Sequence, residues 1–102
     1  MNRLIKAIEQ LMQVKGNNWE KLYRYSSKYI EILSISKADE IEAMLDYLYK
    51  NFSTETVPFW ARLIAFKLLV LQKPNNEKIK QWAINDALMF GGPEWKKEVE
   101  KW

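Results

Sequence analysis

The sequence predicts an all-α protein of about six helices, joined as three consecutive αα-hairpins. In segment after segment, apolar residues recur at the three-and-four spacing of one helix face. Asn, Gly or Pro residues stand between these segments, where helices start or stop. The predicted helix starts follow one another roughly every 18 residues, a spacing typical of helical repeats. Both a compact bundle and a short, helical-repeat-like solenoid fit this pattern.

The first two helices are predicted from their ends and their apolar faces. The first runs to about Lys15 and stops before Gly16, a residue that suits a left-handed C-cap. The second begins at Asn17 or Asn18 and ends near Ser34. Its predicted core face consists of Trp19, Leu22, Tyr23, Tyr29, Ile30 and Leu33, with the small Ser26 among them.

The third helix is predicted to begin after Ser36, which can serve as its N-cap. Asp39 and Glu40 then lie in the first turn, where carboxylates complement the helix dipole. The connection to the next helix is predicted over residues 53–57. The apolar stripe of the third helix is Ile41, Leu45, Leu48 and Phe52.

The stretch Val57–Gln72 is the most apolar part of the chain. Pro58 suits the first turn of a helix, and Pro74 ends it. The apolar run is shorter than the ~20 residues that span a hydrocarbon core, and Arg62 and Lys67 interrupt it. We therefore expect no membrane insertion. The pattern predicts a buried helix whose two basic side chains reach solvent at its margins.

The last two helices are marked by capping residues. The fifth begins at Asn75 or Asn76 and meets Gly91 and Gly92 as its terminator. Pro93 then opens a short sixth helix. The packing face predicted for the sixth helix is Trp95, Val99 and Trp102.

Length and composition indicate one globular domain over residues 1–102. The chain is 48% hydrophobic and 28% charged, which is too apolar for a disordered chain. It has no cysteine and no histidine, so disulfides, thiolate nucleophiles and the commonest general base and metal ligand are excluded. We expect a non-enzyme with no catalytic, cofactor or metal site.

Charge gives two further expectations. Arg3, Lys6 and Glu9 break the apolar run that a secretory signal needs, so the first segment is predicted to be a mature helix of a cytoplasmic protein. Sixteen basic and thirteen acidic residues leave a net charge of +3, spread over both halves of the chain. Without a clustered basic arm, this balance disfavours a nucleic acid as partner.

Two charged rows stand out as candidate partner-binding residues. They are a basic row, Lys21, Arg24 and Lys28, and an acidic row, Asp39, Glu42 and Asp46. Each row has the spacing i, i+3, i+7, which places its members on one helix face. The rows either complement each other across a hairpin or face a charged protein partner.

Three other side chains are candidates for a functional role. Tyr25 and Trp95 lie near helix ends or off the main stripes, where aromatic residues can anchor a protein interface, and Tyr25 could also stack on a base. Asp86 lies beside the apolar stripe of the fifth helix. A carboxylate there requires a partner, and we expect an ion pair with Arg62 or Lys67, or a cap on the following turn, rather than catalysis.

The stretch "VPFWARLIAFKLLVLQKPNNEKIKQWAINDALMFGGPEW", from Val57 to Trp95, resembles small helical bacterial proteins of toxin-immunity and contact-dependent inhibition loci. The shared features are proline-aromatic-Trp-Ala-Arg, then Lys-Pro-Asn, then Asp86 and the Gly-Pro-Glu-Trp turn. The resemblance implies an immunity protein that neutralises a cognate toxin by direct binding. The positive net charge departs from the acidic character common among inhibitors of nuclease toxins. This disfavours a nuclease as the target and leaves membrane-active, acidic or allosterically blocked toxins open.

The function expected from these observations is a non-catalytic, protein-binding module. The alternative is a small helical adaptor or a nucleic-acid-associated protein, which a continuous positive surface formed by the basic row and the late lysines would favour. An enzyme that uses carboxylates, lysine or tyrosine is disfavoured, because no pair of such residues has a diagnostic spacing.

Overall fold

A computed structural model describes residues 2–53 and 56–102 of the chain, and these residues form six α-helices and no strand. The predicted all-α class and the number of helices are therefore confirmed. The helices belong to two compact units, Met1–Pro58 and Phe59–Trp102. The prediction of a single domain stays a prediction. Thr54 and Glu55, within the predicted connection, lie outside the described residues.

The first unit contains helices α1 (Arg3–Met12), α2 (Trp19–Ser34) and α3 (Ala38–Asn51). Helix α1 packs against both α2 and α3, and α1 and α2 form the first predicted hairpin. The core of this unit consists of buried side chains from all three helices, among them Leu4, Ile8, Leu11, Tyr29, Leu33, Ile41, Met44, Leu45 and Leu48.

Local hydrogen bonds explain where the helices of the first unit begin. The Asn2 side chain accepts a hydrogen bond from the Leu4 amide and donates one to the Glu40 carbonyl, which joins the start of α1 to α3. Asn18 caps α2 by accepting from the Lys21 amide, as predicted.

Burial raises the pKa of the Tyr29 hydroxyl above its usual value, because the anion would lose its hydration.

Two predicted helix ends in the first unit are wrong by a few residues. Helix α1 ends at Met12 rather than near Lys15, and Gly16, with φ of +68°, lies in the turn that follows. The N-cap of α3 is Lys37, not Ser36. The Ser36 hydroxyl is buried and donates instead to the Ile32 carbonyl at the end of α2, which leaves α3 without a side-chain cap.

The second unit contains helices α4 (Phe59–Gln72), α5 (Glu77–Gly91) and α6 (Pro93–Glu100). Helix α5 packs against both α4 and α6, and α5 and α6 form another predicted hairpin. Asn76 caps α5 and Pro93 opens α6, as predicted. The core residues of this unit include Ala61, Ala65, Phe66, Leu69, Val70, Ile79, Ala83, Ala87 and Val99.

Helix α4 is buried or half-buried along most of its length, as its apolar composition predicts. Every side chain from Phe59 to Val70 is at least half-buried, and only Leu71 and Gln72 at its end are exposed. The ring of Phe66 contacts that of Trp82 edge-on, with centroids 5.1 Å apart. This aromatic contact helps to fix α4 against α5.

Candidate functional site

The buried charges of the second unit form an ion pair. Arg62 and Asp86 are 1% and 2% exposed, and Arg62 Nε lies 3.3 Å from Asp86 Oδ1. The guanidinium also stacks over the Phe90 ring, with Cζ 4.4 Å from the centroid. The predicted pairing of Asp86 with a basic residue of α4 is therefore confirmed, and it connects α4 to α5.

The prediction that both basic side chains of α4 reach solvent is wrong for Arg62. A guanidinium can be buried when a carboxylate and an aromatic face replace its hydration, and α5 supplies both. Lys67 is half-buried instead, with its Nζ 4.8 Å from the centroid of the Trp102 ring.

The basic row lies on the exposed surface of α2. Lys21, Arg24 and Lys28 are all exposed, and Lys28 Nζ lies 3.5 Å from Gln10 Oε1 of α1. Tyr25 is half-buried beside them. It lines a polar depression of about 420 Å³ between α1 and α2 together with Lys15 and Lys21.

The acidic row lies on α3. Asp39 and Asp46 are exposed and Glu42 is half-buried. Asp46 forms an ion pair with Lys50 one turn further along the same helix, at 2.8 Å. Their role in binding a partner stays a prediction, as does that of the basic row.

Trp95 forms an exposed aromatic site at the start of α6. Its indole packs edge-on against Phe59, with centroids 5.9 Å apart, and remains 41% exposed. Gly91 makes this contact possible, because a Cβ there would come within 2.5 Å of the Phe59 ring and 2.8 Å of the Trp95 ring. The carboxylates Glu94 and Glu98 flank the indole and line a depression of about 430 Å³ with it. We call these three residues the Trp95 site.

An exposed apolar surface on helix α2 is the feature that the sequence analysis missed. Of the six apolar residues predicted to face the core, only Tyr29 and Leu33 are buried. The other four are exposed: Trp19 by 76%, Tyr23 by 71%, Leu22 by 46% and Ile30 by 42%. The prediction of their burial is wrong.

The geometry of a helix explains this error. At 100° per residue, Trp19, Tyr23 and Ile30 point in directions about 80° away from Tyr29 and Leu33. The apolar arc of α2 is thus about 120° wide, and one half of it faces the core of the unit. We use the name α2 outward face for the side of α2 that carries Trp19, Tyr23 and Ile30 together with Ser26, Ser27 and Ser34. Leu22 points between Tyr29 and Leu33, on the core side of the helix, and is nevertheless 46% exposed.

The described residues contain no group of three or more His, Cys, Asp or Glu side chains that could hold a metal ion. No helix in the described ranges combines the length and the apolar character needed to cross a membrane.

In comparisons with known proteins, no protein-family model, curated protein or solved structure matches this chain.

Proposed function

We propose that this chain is a non-catalytic module that binds another protein through the Trp95 site, and that the partner is a bacterial toxin that it neutralises. The resemblance of residues 57–95 to toxin-immunity proteins suggests the class of partner. The observation that carries the proposal is the exposed, rigidly held indole of Trp95.

The rigidity of Trp95 favours tight binding. Its ring is held on one side by Phe59 and by the close approach to Gly91, while 41% of the residue stays open to solvent. An aromatic side chain that is already ordered loses little conformational entropy when a partner covers it. Tryptophan is also among the residues that most often dominate the energy of protein interfaces.

The charge around Trp95 indicates what the partner presents. Glu94 and Glu98 are exposed and lie on the same side of α6 as the indole. An arginine or lysine of the partner could stack on the ring and pair with the carboxylates. The site is locally acidic although the whole chain carries +3, so a basic surface of the toxin is compatible with it.

Co-expression with the protein encoded beside this chain tests the proposal. We expect that protein to be toxic to cells without this chain, harmless with it, and bound to it after purification. Trp95→Ala should weaken the complex about 30-fold or more, as loss of a ~2 kcal/mol hot spot does. Trp19→Ala, which removes an exposed tryptophan of the first unit, is the matched control and should leave the affinity within about threefold.

Variants of charged residues test the same complex. The double variant Glu94→Gln with Glu98→Gln should slow association and make its rate less dependent on salt, because the carboxylates that attract a basic partner are gone. Reversal of the acidic row at Asp39, Glu42 and Asp46 tests whether α3 also contacts the toxin. If the neighbouring protein is harmless alone and no complex forms, the immunity proposal should be abandoned for that of an adaptor.

A second candidate is a nucleic-acid-associated protein, which the depression beside the basic row favours. Lys15, Lys21 and the half-buried Tyr25 line it, a combination that could hold a phosphate and a stacked base. Fluorescence anisotropy with a labelled single-stranded oligonucleotide would show binding that weakens steeply with salt and that Lys21→Ala reduces. If the oligonucleotide does not bind detectably in this titration, a nucleic-acid-associated function is excluded.

A further inference from the structure

We propose that two copies of this chain pair through the α2 outward face, with the two α2 helices antiparallel and the two-fold axis between Ser26 and Ser27. This inference goes beyond the proposed function and uses a different unit of the chain. It starts from the exposure of three large apolar residues, Trp19, Tyr23 and Ile30, on one face of α2.

The sizes of the side chains on this face are self-complementary. Antiparallel pairing about the stated axis sets Ser26 opposite Ser27 of the second copy, where two small side chains let the helix backbones approach closely. On either side of the axis, Tyr23 then faces Ile30 of the second copy. Further out, Trp19 faces the small, exposed Ser34 of the second copy. Every large residue therefore meets a smaller one.

The charges along the edge of the face favour the same register. Arg24 and Glu31 are exposed and lie on one side of the outward face. In the antiparallel pair, each Arg24 lies only about 3 Å along the helix axis from Glu31 of the second copy, which is two residues of helical rise. The two-fold symmetry of the dimer produces this ion pair twice. A parallel pair would set Trp19 against Trp19 and place Arg24 and Glu31 of the two copies on opposite sides of the interface, so it is disfavoured.

The apolar area of the face is large for one helix on the surface of a monomer. Trp19, Tyr23 and Ile30 together offer roughly 400 Å² of apolar surface, which is in the range of the largest and often functional patch on a typical monomer. Lys21 and Lys28 point away from the face and remain in solvent.

Sedimentation over a range of protein concentrations tests this pairing with the whole chain. We expect a reversible monomer–dimer equilibrium with a dissociation constant of about 10 μM or lower. Arg24→Glu and Glu31→Arg should each weaken the dimer about tenfold, because each change makes two pairs of like charges. The double variant Arg24→Glu with Glu31→Arg should regain the original affinity. Trp95→Ala should leave the dimer unchanged, which separates this result from the proposed function.

Cross-linking gives a second measurement, since the chain has no cysteine of its own. Ser27→Cys, next to the two-fold axis, should form a disulfide-linked dimer rapidly on mild oxidation. Gln81→Cys, on the exposed surface of α5, is the matched control and should form little disulfide-linked dimer. Circular dichroism verifies that each variant is folded. A chain that is monomeric at all concentrations, a dimer insensitive to both charge reversals, or equal cross-linking at the two cysteines would overturn the proposal.

Discussion

Helices α2 and α4 are both rich in apolar residues, yet they use them differently. From Phe59 to Val70, α4 exposes none of its side chains, whereas α2 leaves Trp19 and Tyr23 more than two-thirds exposed. The difference lies in their charges. Helix α4 has only Arg62 and Lys67, and both find partners within the second unit. Helix α2 has five exposed charged residues, which keep one side of the helix, an arc of about 100°, in solvent: Glu20, Lys21, Arg24, Lys28 and Glu31.

This comparison shows that apolar content alone does not determine burial. A helix whose few charges can be neutralised inside the unit can be covered on several sides. A helix with one strongly charged side must keep that side in solvent, so its own unit covers only part of the remaining surface. Apolar residues beyond that side then remain available for another molecule.

The largest expected effect concerns the charges that allow α4 to be buried. Asp86→Ala leaves Arg62 buried without its carboxylate and should lower the free energy of unfolding by about 3–5 kcal/mol. The matched control is Asp46→Ala, which breaks an exposed ion pair with Lys50 and should cost less than about 1 kcal/mol. Urea denaturation measures both.

A stable Asp86→Ala variant would contradict this account. If it also failed to bind the partner, Asp86 would belong to a functional site at the end of α5. The double variant Arg62→Met with Asp86→Leu sharpens the test, because removal of both charges should recover most of the lost stability.

The next effect concerns packing along α4. Leu69 is fully buried and Leu71, two residues later, is 62% exposed. Leu69→Ala should cost about 2–5 kcal/mol, since it removes apolar contacts and leaves a cavity. Leu71→Ala should cost less than about 1 kcal/mol. Equal losses for the two variants, measured by denaturation, would mean that burial is not what distinguishes these positions.

A smaller effect is expected where α4 supports the Trp95 site. Gly91→Ala places a Cβ against the Phe59 and Trp95 rings and should lower stability by about 1–3 kcal/mol through overpacking. It should also shift the tryptophan fluorescence, because the indole must move. If stability and fluorescence both stayed the same, the indole would not be held as tightly as we infer.

Much of the secondary structure could be predicted because its signals are local. The side chains of Asn18 and Asn76 cap their own helices, and Pro93 fits a first helical turn whatever lies around it. The ion pair of Asp86 was also predictable, since a carboxylate on an apolar stripe requires a partner. Periodicity likewise gave the core face of α3, where Ile41, Leu45 and Leu48 are all buried.

The outward face of α2 could not be predicted because it depends on how wide the neighbouring surface is. Periodicity identifies an apolar arc that includes both Tyr23 and Tyr29, but only the position of α1 decides which of them is covered. The burial of Arg62 likewise depends on Asp86 and Phe90, which are distant in sequence. The position of Ser36 reflects a competition between capping α3 and bonding back to α2.

The most direct test of the contrast between α2 and α4 is the stability of the double variant Trp19→Ser with Tyr23→Ser. It should be measured by urea denaturation at a protein concentration low enough to keep the chain monomeric. Serine has a helix propensity close to those of tryptophan and tyrosine, so the helix itself is little affected. We predict a change within about 1 kcal/mol, because neither ring is part of the core of its own unit. A loss of about 3 kcal/mol or more, comparable with that of Leu69→Ala, would show that these rings stabilise the fold and would contradict the account.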